Sequence, residues 1–365
     1  MTATAQTQKE PLMHTQTSLA SDPGGTSPTA GDRERLLGLI NAGWTTQVIA
    51  TAVKLGLIDA MGAGPANTRV LADTVRAHAP SLGRLLRAMT SLDLCAQNAN
   101  GDFCLTPAGG LLRADADDSL SAWAELSGGR IWAQWGRLGE SVRSGQSIRK
   151  LTLADDDFSH LDDDAKAAEL FNRAMVELTL SVARDVAQRV DFSAARRVVD
   201  VGGGYGQLLC SILAANPSLQ GVLFDMAHAT GQLASPFETA GVADRCQLAT
   251  GDFFKAVPQG ADVYLLKSIL HDWDDERCLV ILRNCRRAMP PTARLLIVER
   301  IASDRVSASP HDQAVARADL HMMVANGGCE RTQAAYLSLL EAAGLKLLQV
   351  TPLPGPYSVM DVAPR

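Results

Sequence analysis

Residues 198–209 constrain the fold of this chain more than any other stretch. A short β-branched run leads into Gly202, Gly203, Gly204 and Gly206, and an apolar segment follows them. This order is typical of a buried strand, a tight turn and the start of a helix. Glycine allows the sharp turn and the close approach of a ligand to the backbone, because it has no Cβ. The helix start presents unpaired N–H groups to whatever lies in front of it. The stretch therefore predicts a ligand-binding turn.

Two classes of cofactor compete for this turn, beside a plain structural turn with no ligand. A dinucleotide site has the form Gly-x-Gly-x-x-Gly, but Gln207 occupies the third position and the last glycine comes one residue early. Asp200 lies two residues before the first glycine. This Asp-x-Gly-x-Gly-x-Gly form resembles the nucleoside-binding turn of class I S-adenosylmethionine (SAM) methyltransferases. The next predicted strand ends at Asp225, where a carboxylate could bind a ribose diol.

Composition limits the class of protein. A chain of 365 residues suits two domains, and 46% hydrophobic residues can form a sizeable core. The net charge of −6 argues against general affinity for nucleic acid. Residues 1–32 are rich in polar residues and predict a disordered tail without a secretory signal. We find no apolar run of about 18 residues, so we expect no membrane span.

The cysteines and acidic runs predict no metal site. The seven cysteines include no C-x-x-C pair and are odd in number. That pattern indicates reduced thiols and a cytoplasmic protein, not a disulfide framework or a zinc site. The acidic runs 155–157 and 162–164 lack the glycine and the terminal glutamate of a calcium loop. They are typical of a solvated linker and a helix start.

Residues 33–164 predict a helical domain that resembles a winged helix. Apolar residues recur at three-to-four spacing, and a small hairpin with its turn at 98–102 follows two of the helices. A winged helix raises the hypothesis of a DNA-binding regulator with a nucleoside-sensing domain. The helix that would read DNA offers only Arg84 and Arg87, too few to neutralise phosphates. We therefore favour a dimerisation domain and a homodimer.

Residues 165–365 predict an α/β domain with a doubly wound, Rossmann-like sheet. A long linking helix over 165–190 precedes alternating strands and helices, which favour a parallel sheet. Two final strands, 346–351 and 358–363, form an antiparallel hairpin around a proline-rich turn. The parallel strands are predicted at 197–201, 222–225, 246–250, 261–267 and 293–299.

Chemical groups cluster where these strands end, and ligands of such sheets bind beyond the carboxyl ends of the strands. Five stretches resemble the caffeate and hydroxyindole-type family of small-molecule O-methyltransferases, in its bacterial natural-product branch. The resemblance covers roughly residues 35–365, and its stretches are 171–175, 200–206, 251–254, 267–276 and 327–332.

The resemblance implies the roles of individual residues. His271 would be the general base, with the carboxylates of Glu299 and Glu330 beside it. The residues expected to hold SAM are Met175, Asp200, Gly202, Gly204, Asp225, Gly251, Asp252, Phe253 and Lys267. The residues expected to contact the substrate are Trp132, Asp272, His321, Met322 and Asn326.

The chemistry of these side chains agrees with the resemblance. A phenol has a pKa of about 10 and histidine one of about 6.5, so a neutral imidazole at pH 7 can remove the proton as the oxygen attacks. A carboxylate on the other ring nitrogen would fix the tautomer. Since Glu299 ends the strand beside the one leading to His271, we expect the two side chains to lie within reach. The reaction needs no metal.

Two alternatives remain beside methyl transfer to an aromatic hydroxyl. The loop at 325–328 lacks the proline of the plant enzymes, so a bacterial aromatic metabolite is a better expectation than a phenylpropanoid. Some relatives of this fold keep the SAM pocket but catalyse decarboxylation or hydroxylation. The presence of His271 with both glutamates favours methyl transfer.

Overall fold

The computed structural model describes residues 28–62, 64–153, 164–227 and 234–365, without side chains at 234–236. Residues up to Trp44 belong to one compact unit, and Thr45–Arg365 form the second. Most of the predicted tail, and the acidic runs apart from Asp164, lie outside the described residues. The helix that follows the tail begins at Ala30, before the predicted start at residue 33, because Thr29 and Asp32 cap it through reciprocal hydrogen bonds of 2.9 and 3.1 Å.

The first helix, Ala30–Lys54, carries a large exposed apolar surface. Leu39, Ile40 and Trp44 are each more than 60% exposed. By length and composition this helix could cross a membrane, and no other helix in the described part of the chain meets that criterion. Asn41 and other uncharged polar residues interrupt its apolar residues, so the helix contains no continuous apolar run of about 18 residues. An exposed apolar surface of this kind is typical of an interaction site.

The next elements confirm the predicted helices and hairpin. Helices Leu57–Ala60, Thr68–Thr74 and Ala79–Ser91 precede the antiparallel strands β1 (Cys95–Gln97) and β2 (Phe103–Leu105). Their side chains share one apolar core. Asn98 closes the hairpin turn, because its side-chain oxygen accepts hydrogen bonds from the backbone N–H groups of Asn100 and Asp102.

Short helices fill the region up to residue 153. They are Pro107–Gly110, Ser121–Leu126, a π-helix at Ser127–Ile131, Trp132–Trp135, Leu138–Ser144 and Ile148–Leu153. Gly128 in the π-helix allows close packing, because a Cβ there would lie 2.1 Å from that of Ala50. Gln47 and Lys54 donate hydrogen bonds to its carbonyl oxygen.

The linking helix spans Ala165–Arg189, as predicted to within one residue. Its first turn is capped by Asp164, whose Oδ1 accepts a hydrogen bond from the N–H of Ala167. The buried residues Ala174, Val182 and Val186 are separated by multiples of four residues and form one apolar stripe. The helix packs against Ser121–Leu126 and against Gln207–Ala215.

The sheet has the predicted class and hairpin. Its order is β5-β4-β3-β6-β7-β10-β9, and the pairing is parallel except where β10 pairs with β7 and β9. A short eighth strand, β8, pairs with β7 alone. The bounds are β3 Arg197–Val201, β4 Gln220–Asp225, β5 Cys246–Thr250, β6 Val263–Lys267, β7 Arg294–Ala302, β8 Arg331–Thr332, β9 Leu345–Pro352 and β10 Tyr357–Pro364.

Strand β7 does not stop at Glu299, so the predicted end was wrong. The strand continues to Ala302 because Arg300 pairs with Tyr357 in β10, and Ile301 pairs with Arg331 in β8. The remaining helices cover both faces of the sheet and enclose two apolar cores. They are Gln207–Ala215, Ala234–Thr239, Asp275–Ala288, Pro310–Ala325 and Gln333–Ala342, with 3-10 turns at Ala243–Arg245 and Leu270–Asp272.

Candidate active site

The glycine turn follows β3 at the switch point of the sheet. From β3 the strand order continues to β4 and β5 on one side and to β6 and β7 on the other. Gly202, Gly204 and Gly206 have φ of 72°, 55° and 76°, values that favour glycine. A Cβ on Gly202 would lie 2.5 Å from the Ile269 side chain, whereas nothing surrounds a Cβ position at Gly204 within 4 Å. The backbone at Gly204 therefore faces open space.

The carboxylate of Asp225 lies at the mouth of this turn. Its Oδ2 accepts a hydrogen bond of 2.7 Å from the N–H of Gly204, and its Oδ1 accepts one from Met226. Asp252, after the neighbouring strand, is partly exposed, and the Phe253 ring packs edge-on against Phe254. Two carboxylates, an aromatic ring and an open glycine backbone fit the diol and base of a nucleoside.

Three other residues that were predicted to hold the cofactor contact the elements that form this cleft. Asp200 is 1% exposed and lies under the turn, since a Cβ on Gly203 would lie 2.5 Å from its Oδ2. Burial raises the pKa of Asp200 to about 7. Lys267 Nζ donates a 2.8 Å hydrogen bond to Thr179 on the linking helix. A Cβ on Gly251 would contact the Phe224 ring, so this glycine permits close packing.

Met175 belongs to the packing of the linking helix. It packs against a small apolar cluster that contains Ala122, Leu126 and Ala174. Its carbonyl oxygen accepts a hydrogen bond from Thr179, the residue that binds Lys267. Thr179, one helical turn after Met175, thus bonds to both Met175 and Lys267.

His271 lies in the 3-10 turn after β6 and is 6% exposed. Its Nδ1 is 3.1 Å from Glu330 Oε1 and 3.8 Å from Glu299 Oε2. A carboxylate only accepts hydrogen bonds, so Nδ1 carries the hydrogen and Nε2 is the atom that can accept a proton. Asp272 Oδ1 lies 3.6 Å from Nε2. The predicted proximity of Glu299 holds, but Glu330 is the direct hydrogen-bond partner.

The charges around His271 change its expected ionisation. Burial lowers the pKa of His271, but the negative charges of Glu299 and Asp272 and the bond to Glu330 outweigh it and raise the pKa to about 9. Because three carboxyl groups surround the ring, the protonated imidazole is favoured at pH 7 in the protein alone, and the neutral imidazole that accepts the proton stays a prediction. Burial favours a protonated Glu330, yet its bond to His271 and the charge of Arg300 lower the pKa of Glu330.

Glu299 holds the turn that carries His271. Its side chain is fully buried, and its Oε1 accepts 2.9 Å hydrogen bonds from the N–H groups of Ile269 and Leu270. These bonds attach the turn after β6 to the neighbouring strand β7. Glu299 is therefore placed both to orient the turn and to place a negative charge near the imidazole.

The segment 327–332 packs against the same turn. Arg331, which is buried, donates hydrogen bonds to the carbonyl oxygens of Leu270 and Trp273 at 2.7 and 2.6 Å. The N–H of Cys329 donates to the carbonyl oxygen of His271. A Cβ on Gly328 would lie 1.9 Å from that oxygen, so only glycine fits there. This packing brings Glu330 to the imidazole.

Sequence reasoning missed Arg300, which follows Glu299 on β7. Its Nη1 donates a 3.1 Å hydrogen bond to Glu330 Oε1, and its guanidinium lies 4.4 Å from the centre of the Tyr357 ring. An arginine after a strand-borne glutamate carries no motif. Only the return of β10 beside β7 places Tyr357 under the guanidinium.

The predicted substrate residues divide into two groups. Asp272, in the turn that carries His271, accepts a hydrogen bond from Asn326 at its Oδ1. His321 and the buried Met322 lie on helix Pro310–Ala325. The indoles beside His321 are those of Trp123 and Trp135. Trp132, which was predicted to contact the substrate, is 42% exposed and begins the helix Trp132–Trp135.

The fold also assembles a set of possible metal ligands that the sequence did not reveal. One atom each from His271, Glu299 and Glu330 lies within 4.8 Å of the others, a spacing that could hold a metal ion. Glu330 Oε1 is already paired with Arg300, and Glu299 Oε1 accepts two backbone N–H groups. These bonds suit a proton-transfer site as well as a metal site.

Comparison with known proteins identifies the family. A family model described as an O-methyltransferase domain matches residues 135–346, and an O-methyltransferase dimerisation domain matches residues 37–115. O-demethylpuromycin-O-methyltransferase of Streptomyces alboniger is 37% identical over 94% of this chain and 92% of that protein. The 3-amino-4-hydroxybenzoate 4-O-methyltransferase of Streptomyces cremeus is 41% identical over 89% and 88%.

A solved structure and one further relative complete the comparison. Human N-acetylserotonin methyltransferase in complex with SAM is 25% identical, has a TM-score of 0.84, and is matched over 93% of this chain and 99% of that one. Aclacinomycin 10-hydroxylase of Streptomyces purpurascens is 33% identical over 94% of each chain. The family models, the natural-product relatives and the SAM-bound structure agree with the geometry of the cleft. The chain therefore belongs to the O-methyltransferase family and is a SAM-dependent O-methyltransferase of the bacterial secondary-metabolite type.

Proposed function

We propose that this enzyme methylates a hydroxyl group of a small aromatic metabolite, with His271 as the general base. The hydrogen bond of 3.1 Å between His271 Nδ1 and Glu330 carries the proposal, because it leaves Nε2 to receive the proton. The acceptor oxygen loses its proton to Nε2 as it attacks in line. Glu299 and Arg331 hold the turn, so that the imidazole keeps its position relative to the cleft.

The cofactor residues are proposed to act from the glycine turn. Asp225 and Asp252 would bind the ribose diol and the base, while Gly202 and Gly204 leave room at the backbone. When bound, SAM supplies a methyl group on a positively charged sulfur, and that charge disfavours a second positive charge on a nearby imidazole. His271, protonated in the protein alone, would then release its proton more readily.

Replacing Asp225 by alanine is expected to weaken SAM binding by about tenfold or more, the usual effect of losing hydrogen bonds to a charged acceptor. Isothermal titration calorimetry measures the change. Asp244→Ala is the matched control, because Asp244 is an exposed acid on the turn before β5. Equal SAM affinity in the Asp225 variant and the control would contradict the ribose role.

The rate should depend on the ionisation of His271. Only the neutral imidazole accepts a proton, so kcat/KM for the acceptor rises with pH, with a midpoint between 6.5 and about 9. Glu330→Gln removes a negative charge that stabilises the protonated ring, so the midpoint moves to lower pH. The exposed Glu341→Gln serves as control. A midpoint that stays in place or moves to higher pH in Glu330→Gln would exclude this assignment.

We propose that the enzyme works as a homodimer, as its dimerisation domain favours. The exposed apolar side chains of the first helix provide surface for such an interface. The helix Ala79–Ser91 offers only Arg84 and Arg87 as basic residues, which does not favour DNA binding. A cytoplasmic location stays a prediction, and the seven free cysteine thiols agree with it.

Hydroxylation is the second candidate, because a hydroxylase is among the similar proteins. The two reactions differ in their products. Methyl transfer from radiolabelled SAM yields one labelled product and one S-adenosylhomocysteine per turnover. Turnover of the acceptor without label in the product would favour the second candidate.

A further inference from the structure

The side chain of His321 is held between two indole rings. It extends from helix Pro310–Ala325, and its ring lies nearly parallel to that of Trp135, with centroids 6.5 Å apart. The Trp123 ring lies edge-on at the same distance. This arrangement fixes the plane of the imidazole.

One hydrogen bond fixes its tautomer. The Nε1–H of Trp135 donates to His321 Nδ1 at 3.3 Å. An indole N–H can only donate, so Nδ1 must present its lone pair and the ring hydrogen lies on Nε2. Burial, followed by the positive charges of His271, Arg300 and Arg149, lowers the pKa of His321 to about 4. The ring is therefore neutral at pH 7, with a single N–H donor.

That donor has no acceptor within the described part of the chain. The only hydrogen bond that His321 makes there uses Nδ1, and the side chain is partly accessible. Five residues further on, Asn326 binds Asp272 beside the catalytic turn. The charges of His271 and Glu330 both act on the His321 ring. An N–H group in such a place gains free energy when a ligand supplies an acceptor.

We propose that His321 Nε2–H donates a hydrogen bond to a second oxygen of the substrate, so that the enzyme selects aromatic hydroxyl compounds that also carry a carbonyl or carboxylate oxygen. The lone pairs of such an oxygen lie in the plane of the aromatic ring, where a fixed donor reaches them. The inference rests on the proposed function, because it takes the acceptor to be an aromatic hydroxyl compound.

The test compares two matched sets of acceptors. One set holds 1- and 2-naphthol, and the other holds hydroxynaphthoates and hydroxyacetonaphthones with the second group at different ring positions. For the wild type, kcat/KM is higher for the carbonyl-bearing member of at least one pair. His321→Phe keeps a ring between the indoles but loses the donor, and the ratio within that pair falls by about tenfold or more. His321→Gln keeps an N–H donor and retains more of the ratio.

A second variant tests the tautomer itself. Trp135→Phe removes the donor to Nδ1 and leaves His321 in place, so the hydrogen is no longer held on Nε2 and the ratio falls. SAM affinity, measured by calorimetry, stays within about threefold in all three variants. If His321→Phe still methylates the acceptors and its ratio is unchanged, the inference is overturned and the proposed function is not. A wild-type enzyme that methylates neither set would overturn the proposed function and the inference with it.

Discussion

The variant His271→Ala loses turnover by about 10²–10⁴-fold, the usual effect of removing a general base. The loss appears in kcat, because the imidazole acts on the proton as the acceptor oxygen attacks. Glu330 and Glu299 remain in place but have no ring nitrogen between them and the acceptor. Initial rates at saturating SAM and acceptor measure the effect, and calorimetry checks that SAM still binds with unchanged affinity.

Two further variants separate the base from the packing around it. His271→Gln fills much of the same buried volume without a basic nitrogen, so it loses turnover to a similar extent while its thermal stability stays close to that of the wild type. The exposed His78→Ala is the matched control and keeps full turnover. Turnover within about threefold of wild type in both His271 variants would rule out the proposed base.

The second large effect comes from a residue that performs no chemistry. Gly328→Ala places a Cβ 1.9 Å from the carbonyl oxygen of His271 and 2.6 Å from the carbonyl carbon of Asp272. Both contacts are with backbone, so the turn must move. Overpacking of this kind lowers the free energy of unfolding by about 1–3 kcal/mol. A displacement of about 1 Å at the imidazole lowers turnover by about a further 10²-fold.

Gly110→Ala is the control for this substitution. Gly110 ends the helix Pro107–Gly110, a Cβ there has no neighbour within 4 Å, and its φ is not positive. Alanine at that position keeps both stability and turnover. Thermal denaturation and steady-state rates compare the two variants. If Gly328→Ala matched Gly110→Ala in both measurements, the close packing of segment 327–332 on the catalytic turn would not control the position of His271.

Much of the fold could be predicted because it depends on local patterns. The linking helix carries apolar residues four apart, and Thr332 caps helix Gln333–Ala342 through its side chain. Strands and turns followed β-branched runs and glycines, so the sheet class and its terminal hairpin were both predicted. The end of β7 was not, since the strand continues only because β10 and β8 pair with residues 300–302.

Local sequence patterns predicted the glycine turn, the order of strands and helices, and a histidine with nearby acids after β6. Those features follow from backbone periodicity and from residue types that suit a turn. Tertiary contacts make Glu330 rather than Glu299 the hydrogen-bond partner of His271, and they bring Arg300 to Glu330 and Trp135 to His321. The raised pKa of His271 likewise comes from the carboxyl groups that the fold brings to the ring. Each of these depends on contacts between segments far apart in the chain, and on burial that strengthens charge interactions, which no local pattern records.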